Sequence, residues 1–117
     1  MGAVRPYVYG PLSLLKLVTE SFGAVERERH EMGPSAIHVE VQIRDSMLVL
    51  EMSDPPHAQA TAGSIYFSVP DVDAAHQRAL DHGAQSILAP CEKPYQERSA
   101  GVKDALGNRW WISTFRR

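Results

Sequence analysis

The residues of this 117-residue chain that could do chemistry lie on short alternating runs. Between Ile37 and Ile43 the even positions are His38, Glu40 and Gln42, and the odd ones are Ile37, Val39, Val41 and Ile43. An extended strand sends successive side chains to opposite faces, so an imidazole, a carboxylate and an amide share one face here. A second run, Met47 to Met52, alternates Leu48, Leu50 and Met52 with Met47, Val49 and Glu51. If the two runs form a hairpin turning at Arg44-Asp45-Ser46, Glu51 joins His38 and Glu40. Such a group can act as an acid–base or metal-binding cluster, or as a hydrogen-bonded patch that anchors a ligand or another side chain. A charged Glu51 set in a hollow needs a partner, and His38 is the nearest candidate.

A second set lies further along. Ser64, Tyr66 and Ser68 alternate with Ile65, Phe67 and Val69; Trp111, Ser113 and Phe115 alternate with Trp110 and Ile112. A solvated face would carry more Lys, Glu and Arg. Aromatic rings mixed with small hydroxyl groups suit a concave site with a few polar anchors. Tyr66 and Trp111 suit stacking on a flat or cationic ligand, or packing in the hollow or at a dimer interface. The candidate ligand-binding set is His38, Glu40, Gln42, Val49, Glu51, Ser64, Tyr66, Trp111 and Ser113. No catalytic residue, metal ligand or cofactor site is assigned.

The other reactive side chains read more plainly. Cys91, between Pro90 and Glu92, reads as a loop thiol with no sequence-local His to activate it. As the only cysteine it excludes an internal disulfide and a cysteine-rich zinc site. Arg98 suits either an anionic ligand or an ion pair with Glu97 or Asp104. His76 falls on the apolar arc of a helix and reads as a packing residue; His30, His57 and His82 read as surface or terminal residues. No glycine-rich phosphate loop is present.

The elements that must position these residues follow from composition and repeat. The chain is 44% hydrophobic, 22% charged and 8% aromatic with formal net charge −2, values of an ordinary globular domain and against disorder. It has no basic block, so nucleic acid is not an expected partner. It has neither an apolar run long enough for a membrane span nor a signal-peptide core, so a cytoplasmic location is the expectation. Phe22-Gly23-Ala24 and His82-Gly83-Ala84 each follow a helical pattern that itself follows a strand-like run. In the first half, Tyr7-Val8-Tyr9 is a strand, Gly10-Pro11 starts a helix, and Leu14, Leu15, Leu17, Val18 and Phe22 form its buried stripe. Gly23 ends that helix, and strands follow at about 24–31, 35–44 and 46–53. In the second half, Ser64 to Val69 is a strand and Asp71 caps a helix whose stripe is Val72, Ala75, Ala79 and Leu80. Strands follow at about 85–89, 97–104 and 109–115. The segment from Ser53 to Ala62, with Pro55-Pro56, reads as a linker. One domain over 1–117 is expected, with units at about 1–53 and 63–117 joined by about 54–62.

At this level the chain resembles the glyoxalase/bleomycin-resistance/extradiol-dioxygenase group, the vicinal oxygen chelate superfamily. Tyr66-Phe67-Ser68-Val69-Pro70-Asp71-Val72-Asp73-Ala74-Ala75 is similar to its strand-to-helix junction. Asp104-Ala105-Leu106-Gly107-Asn108-Arg109-Trp110-Trp111 resembles its closing hairpin, with Ala105 where proline is usual. Phe22-Gly23-Ala24 and the run from Ile37-His38-Val39-Glu40 to Leu50 also match; the usual Val-x-Asp after the first strand is missing at Gly10-Pro11. The resemblance implies an α+β fold of two β-α-β-β-β modules, a cupped mixed sheet with helices on its convex face, in a homodimer. Metal-dependent members place His, Gln or Glu on the first and last strands of each module, which falls here near Tyr7, Glu51, Ser64 and Trp111. Only Glu51 is a competent ligand, so the resemblance points to a metal-independent binder of a small molecule, with sequestration of a toxic compound as one use. The alternative is a metal-dependent lyase, isomerase or dioxygenase using Glu51 and His38.

Overall fold

The structure is a computed structural model that describes residues 4–114. Phe115 therefore lies outside the described residues. The element order is β1 (Tyr7–Gly10), α1 (Leu14–Phe22), β2 (Val25–Glu31), β3 (Ala36–Ile43), β4 (Ser46–Ser53), β5 (Ser64–Ser68), α2 (Val72–Asp81), β6 (Gln85–Glu92), β7 (Arg98–Lys103) and β8 (Arg109–Thr114). This is the β-α-β-β-β order expected twice over. The strands make two four-stranded mixed sheets, β1-β4-β3-β2 and β5-β8-β7-β6. In each, the opening strand runs parallel to the last strand of its set, and the other pairings are antiparallel.

Local sequence explains the helices. Leu14, Leu17, Val18 and Phe22 are buried on α1, as the stripe requires, and Leu15 packs at its margin. The helix starts later than Gly10-Pro11 suggests: the Leu14 amide donates to the Pro11 carbonyl, so Pro11 opens a turn ahead of the helix. Gly23 closes α1 at φ 77°, a left-handed conformation that costs glycine little. Asp71 caps α2, its carboxylate accepting from the Ala74 amide at 3.0 Å.

The core collects the odd positions of β3 (Val39, Val41, Ile43), with Leu48, Leu50 and Met52 of β4 and Ala100, Val102, Trp110 and Ile112 of the second sheet. Phe22 of α1 stacks near Trp110 and Phe67, with ring centroids 5.5 and 5.0 Å away, so one core spans both sheets. The helices also meet directly: Arg78 donates to the Ser21 carbonyl, and His82 Nε2 lies 2.7 Å from Glu20 Oε1.

The hairpin Asp104 to Asn108 locks the halves together. One Asp104 carboxylate oxygen accepts from the backbone amides of Leu106, Gly107 and Asn108, and the other from the Trp110 indole at 2.9 Å. Asn108, fully buried, donates to the Tyr9 carbonyl of β1 and accepts from the Gly63 amide, both at 2.7 Å. Two expectations change. β6 runs on to Glu92, so Cys91 is on a strand rather than in a loop. Arg98 makes an ion pair, but with Asp73 of α2 at 2.8 Å and Glu92 at 3.3 Å instead of Glu97 or Asp104. Arg98 shares the parity of buried Ala100 and Val102, so its side chain runs to the helix side.

Candidate functional site

Residues buried toward the helices fix the opposite face of each sheet by strand alternation. On the first sheet that face carries Tyr7 and Tyr9 of β1, Val49 and Glu51 of β4, and His38, Glu40 and Gln42 of β3. Tyr9, Glu51, His38 and His30 form one row across all four strands by register. Its chemical centre is the Glu51 carboxylate: Oε1 accepts from the Tyr7 hydroxyl at 2.8 Å and lies 2.7 Å from His38 Nδ1. The hydrogen bond to Glu51, with lesser help from burial, pushes the Tyr7 phenol up to about 12. Tyr7 is thus a neutral donor at physiological pH. Glu40 and Gln42 point from the same face, but each has its own partner, Arg5 at 2.6 Å and Arg27 at 2.8 Å. Val49 is buried beneath them.

The second sheet repeats the plan with different groups. Tyr66 pairs in register with Trp111 as Tyr9 pairs with Glu51, and Gly101 pairs with Trp111 as His38 pairs with Glu51. The matching diagonal contact also recurs. Trp111 Nε1 donates to Ser64 Oγ at 2.9 Å, where Tyr7 bonds Glu51 in the first sheet. On the other flank, a Cβ built on Gly101 would lie 2.6 Å from the Cε3 and Cζ3 atoms of the indole. An indole held by β5 on one side and lying on β7 on the other must spread flat across the sheet. Gly101 makes room for it, the close approach that a glycine within a strand often marks. Trp111 is half-buried, so part of its side chain stays open to solvent.

Beside it, Ser113 donates to the Tyr66 hydroxyl at 3.0 Å, and Tyr66 in turn donates to Glu97. Burial, then the bond to Glu97, raises the Tyr66 pKa, so this phenol also stays protonated. Of the nine predicted site residues, the structure brings together His38 with Glu51, Ser64 with Trp111, and Tyr66 with Ser113. Among the described residues no hydrogen bond, ion pair or ring contact joins the set on the first sheet to the set on the second. Between the sheets lies a cleft of about 750 Å³, walled by Val4, Pro6, Ile43, Met47, Tyr66 and Ser68 among others. Tyr66 is the predicted residue that faces it. Sequence reasoning missed Glu97 and Gly101 as site residues, and reached Tyr7 only as a position where the resemblance puts a metal ligand. Gly101 inside a strand was the available signal; Glu97 was hidden because the alternation around it rests on Ser99, Ala100 and Gly101.

The sequence pattern of the Glyoxalase/Bleomycin resistance protein/Dioxygenase superfamily matches residues 15–112 of this chain. The chain belongs to that superfamily. No curated protein matches the chain. Among solved structures it is similar to TioX from Micromonospora sp. ML1, at 20% identity and TM-score 0.74 over 95% of this chain and 94% of that one. It is similar also to a glyoxalase/bleomycin resistance protein/dioxygenase family enzyme from Burkholderia phytofirmans PsJN, at 19% identity and TM-score 0.70 over 95% and 94% of the two chains. A glyoxalase-related enzyme from Fulvimarina pelagi aligns at 19% identity and TM-score 0.69, over 98% of this chain and 88% of its own. At these identities the structures establish the fold.

The four positions where metal-dependent relatives carry ligands do not fit a divalent metal. Trp111 uses its only nitrogen as a donor to Ser64 and offers no lone pair. Tyr7 keeps its proton on Glu51, Ser64 offers only a neutral hydroxyl, and Glu51 alone is a strong donor. Among the described residues no three His, Cys, Asp or Glu side chains gather as a ligand group. None of the described helices is long and apolar enough to cross a membrane.

Proposed function

We propose that the protein binds a planar small molecule without a metal, on the sheet faces turned away from the helices, and holds it by stacking on Trp111. One observation carries this reading: an indole fixed flat across the sheet by Ser64 and Gly101, at the position equivalent to Glu51. A side chain used only for packing would bury both ring faces. Trp111 is instead only half-buried. Tyr66, 52% exposed, extends the aromatic surface, and the Tyr7–Glu51–His38 group supplies polar anchors on the other sheet. A ligand held between the two faces would touch both, and in a homodimer the faces of two chains would enclose it. Sequestration of a toxic compound in the cytoplasm is the use we assign to such a site.

The test is intrinsic tryptophan fluorescence with a panel of planar heteroaromatic compounds. Trp110 is fully buried, so saturable quenching should come from Trp111 and vanish in Trp111→Phe. Quenching should also survive dialysis against a chelator. Elemental analysis of untagged protein checks the rival chemistry. Near-stoichiometric Zn, Fe, Mn or Ni would overturn metal independence and favour a lyase, isomerase or dioxygenase working through Glu51 and His38.

A further inference from the structure

The described arginines divide by partner. Arg5, Arg29 and Arg98 are ion-paired with carboxylates. Arg27, Arg44, Arg78 and Arg109 make no ion pair among the described residues. Three of these four, Arg27, Arg44 and Arg78, wall one cleft of about 430 Å³. They come from β2, the β3–β4 turn and α2, so the fold brings distant parts of the chain to one place. Among the described residues no Asp or Glu lines this cleft. The carboxylates nearest in sequence are engaged elsewhere: Glu26 on Arg29, Asp45 on the Ser46 hydroxyl, and Asp71 on the Ala74 amide. Gln42 positions two of the arginines. Its side-chain carbonyl accepts from Arg27 Nε, and its amide donates to the Arg44 carbonyl, both at 2.8 Å. Arg27 falls at the break in register between Glu26 and Glu28, and such a bulge re-aims a side chain. Arg44 takes a left-handed φ of 54°, a conformation that costs a non-glycine residue free energy. Arg78 is anchored through Nε and Nη2 on the Ser21 carbonyl, which leaves Nη1 without a partner among the described residues. All three arginines are exposed, so a solute can reach them.

We propose that Arg27, Arg44 and Arg78 bind the phosphoryl group of an organic phosphate monoester, whose apolar part lies on Phe22, Val25 and Pro70 of the same cleft. Guanidinium forks match phosphate oxygens and bond them in pairs. A phosphate monoester carries close to two negative charges at neutral pH, so it answers gathered cations better than a carboxylate does. The apolar lining favours an ester over inorganic phosphate. This site is separate from the sheet face assigned to stacking: Trp111 does not line the cleft, and either site can fail without the other.

Calorimetric titrations with cyclohexyl phosphate, cyclohexanecarboxylate, cyclohexanol and inorganic phosphate test this; the saturated ring keeps the probes from stacking flat on an indole. Cyclohexyl phosphate should saturate at one per chain and bind about tenfold more tightly than inorganic phosphate. The carboxylate should bind more weakly than the phosphate ester, and cyclohexanol should give no heat. Arg44→Gln should weaken cyclohexyl phosphate binding about tenfold, the worth of one hydrogen bond to a charged group. The Arg44 side chain has no partner among the described residues, so this variant should keep the wild-type melting temperature. Arg27→Gln should weaken binding by a similar factor. No binding of cyclohexyl phosphate, equal binding of inorganic phosphate, tighter binding of the carboxylate, or an affinity unmoved by both substitutions would overturn the site. Self-association in sedimentation that Arg44→Gln abolishes would place these arginines between copies of the chain, and would overturn it as well.

Discussion

Gly101→Ala isolates the packing of Trp111 against β7, on which the proposed platform depends. The added methyl would sit 2.6 Å from two indole carbons and 3.2 Å from Ile87 Cγ1. Carbon atoms rest about 3.5–4.0 Å apart, so the ring must lift by about 1 Å or swing away. It cannot slide along the sheet without breaking its 2.9 Å bond to Ser64, and Ile87 closes the other side. Overpacking of this kind costs about 1–3 kcal/mol. Replacing glycine in a strand returns about 0.4–1 kcal/mol through the unfolded chain. The net expectation is a loss of about 1–2 kcal/mol, small enough to leave the protein folded. The effect on binding is larger in kind, because the stacking plane itself is displaced. Urea denaturation and tryptophan quenching by quinoline, measured side by side, read the two effects. Wild-type stability together with wild-type quenching would show that the indole does not lie on Gly101, and the platform argument would fail.

Three other expectations concern the frame that holds the faces. Val41→Asp puts an unpaired charge at a fully buried position on the helix side of β3; it should cost several kcal/mol and abolish the thermal transition, and a melting temperature near wild type would reverse the face assignment. Asn108→Ala leaves the Tyr9 carbonyl and the Gly63 amide without their side-chain partner; at about 1–3 kcal/mol for each orphaned group it should lower the denaturation midpoint sharply, and a shift worth under about 0.5 kcal/mol would deny the hairpin its joining role. The Arg78 carbonyl, with Glu20, raises the His82 pKa above its ordinary 6.5. The folded state therefore holds that proton more tightly, and the contribution is full below about pH 6.5 and fades as pH rises through the raised value. His82→Gln should flatten this part of the stability profile in paired denaturation curves at about pH 6 and about pH 8.5, on either side of the raised value; an unchanged profile would remove His82 from the link between the helices.

The sequence made the fold readable where burial imposes strong alternation. In β3, Val39 and Val41 against His38 and Glu40 leave no choice of face, and the same holds for Trp110 and Ile112 against Trp111. Helix ends were readable from Gly23 and Asp71, because both act through their own backbone or side chain within a few residues. The pairing of His38 with Glu51 followed from the hairpin register. The second-sheet border did not. Ser99, Ala100 and Gly101 are all small, so parity is silent there, and Glu97 finds Tyr66 thirty-one positions away in sequence. The destination of Arg98 was equally hidden, since Asp73 comes near it only when α2 docks on β7. Trp111 reads as a platform or a plug from its neighbours alone; its contacts with Ser64 and Gly101, on different strands, support the platform reading proposed above.

The most direct measurement is the nitrogen–proton NMR spectrum of the two tryptophan indoles during titration with quinoline in the presence of a chelator. Trp110 donates its indole hydrogen to buried Asp104 and should stay fixed. The Trp111 signal, from a half-buried indole held on Ser64, should shift and saturate. A Trp111 signal that never moves, or one that moves only when a metal is restored, would contradict metal-free stacking on that face.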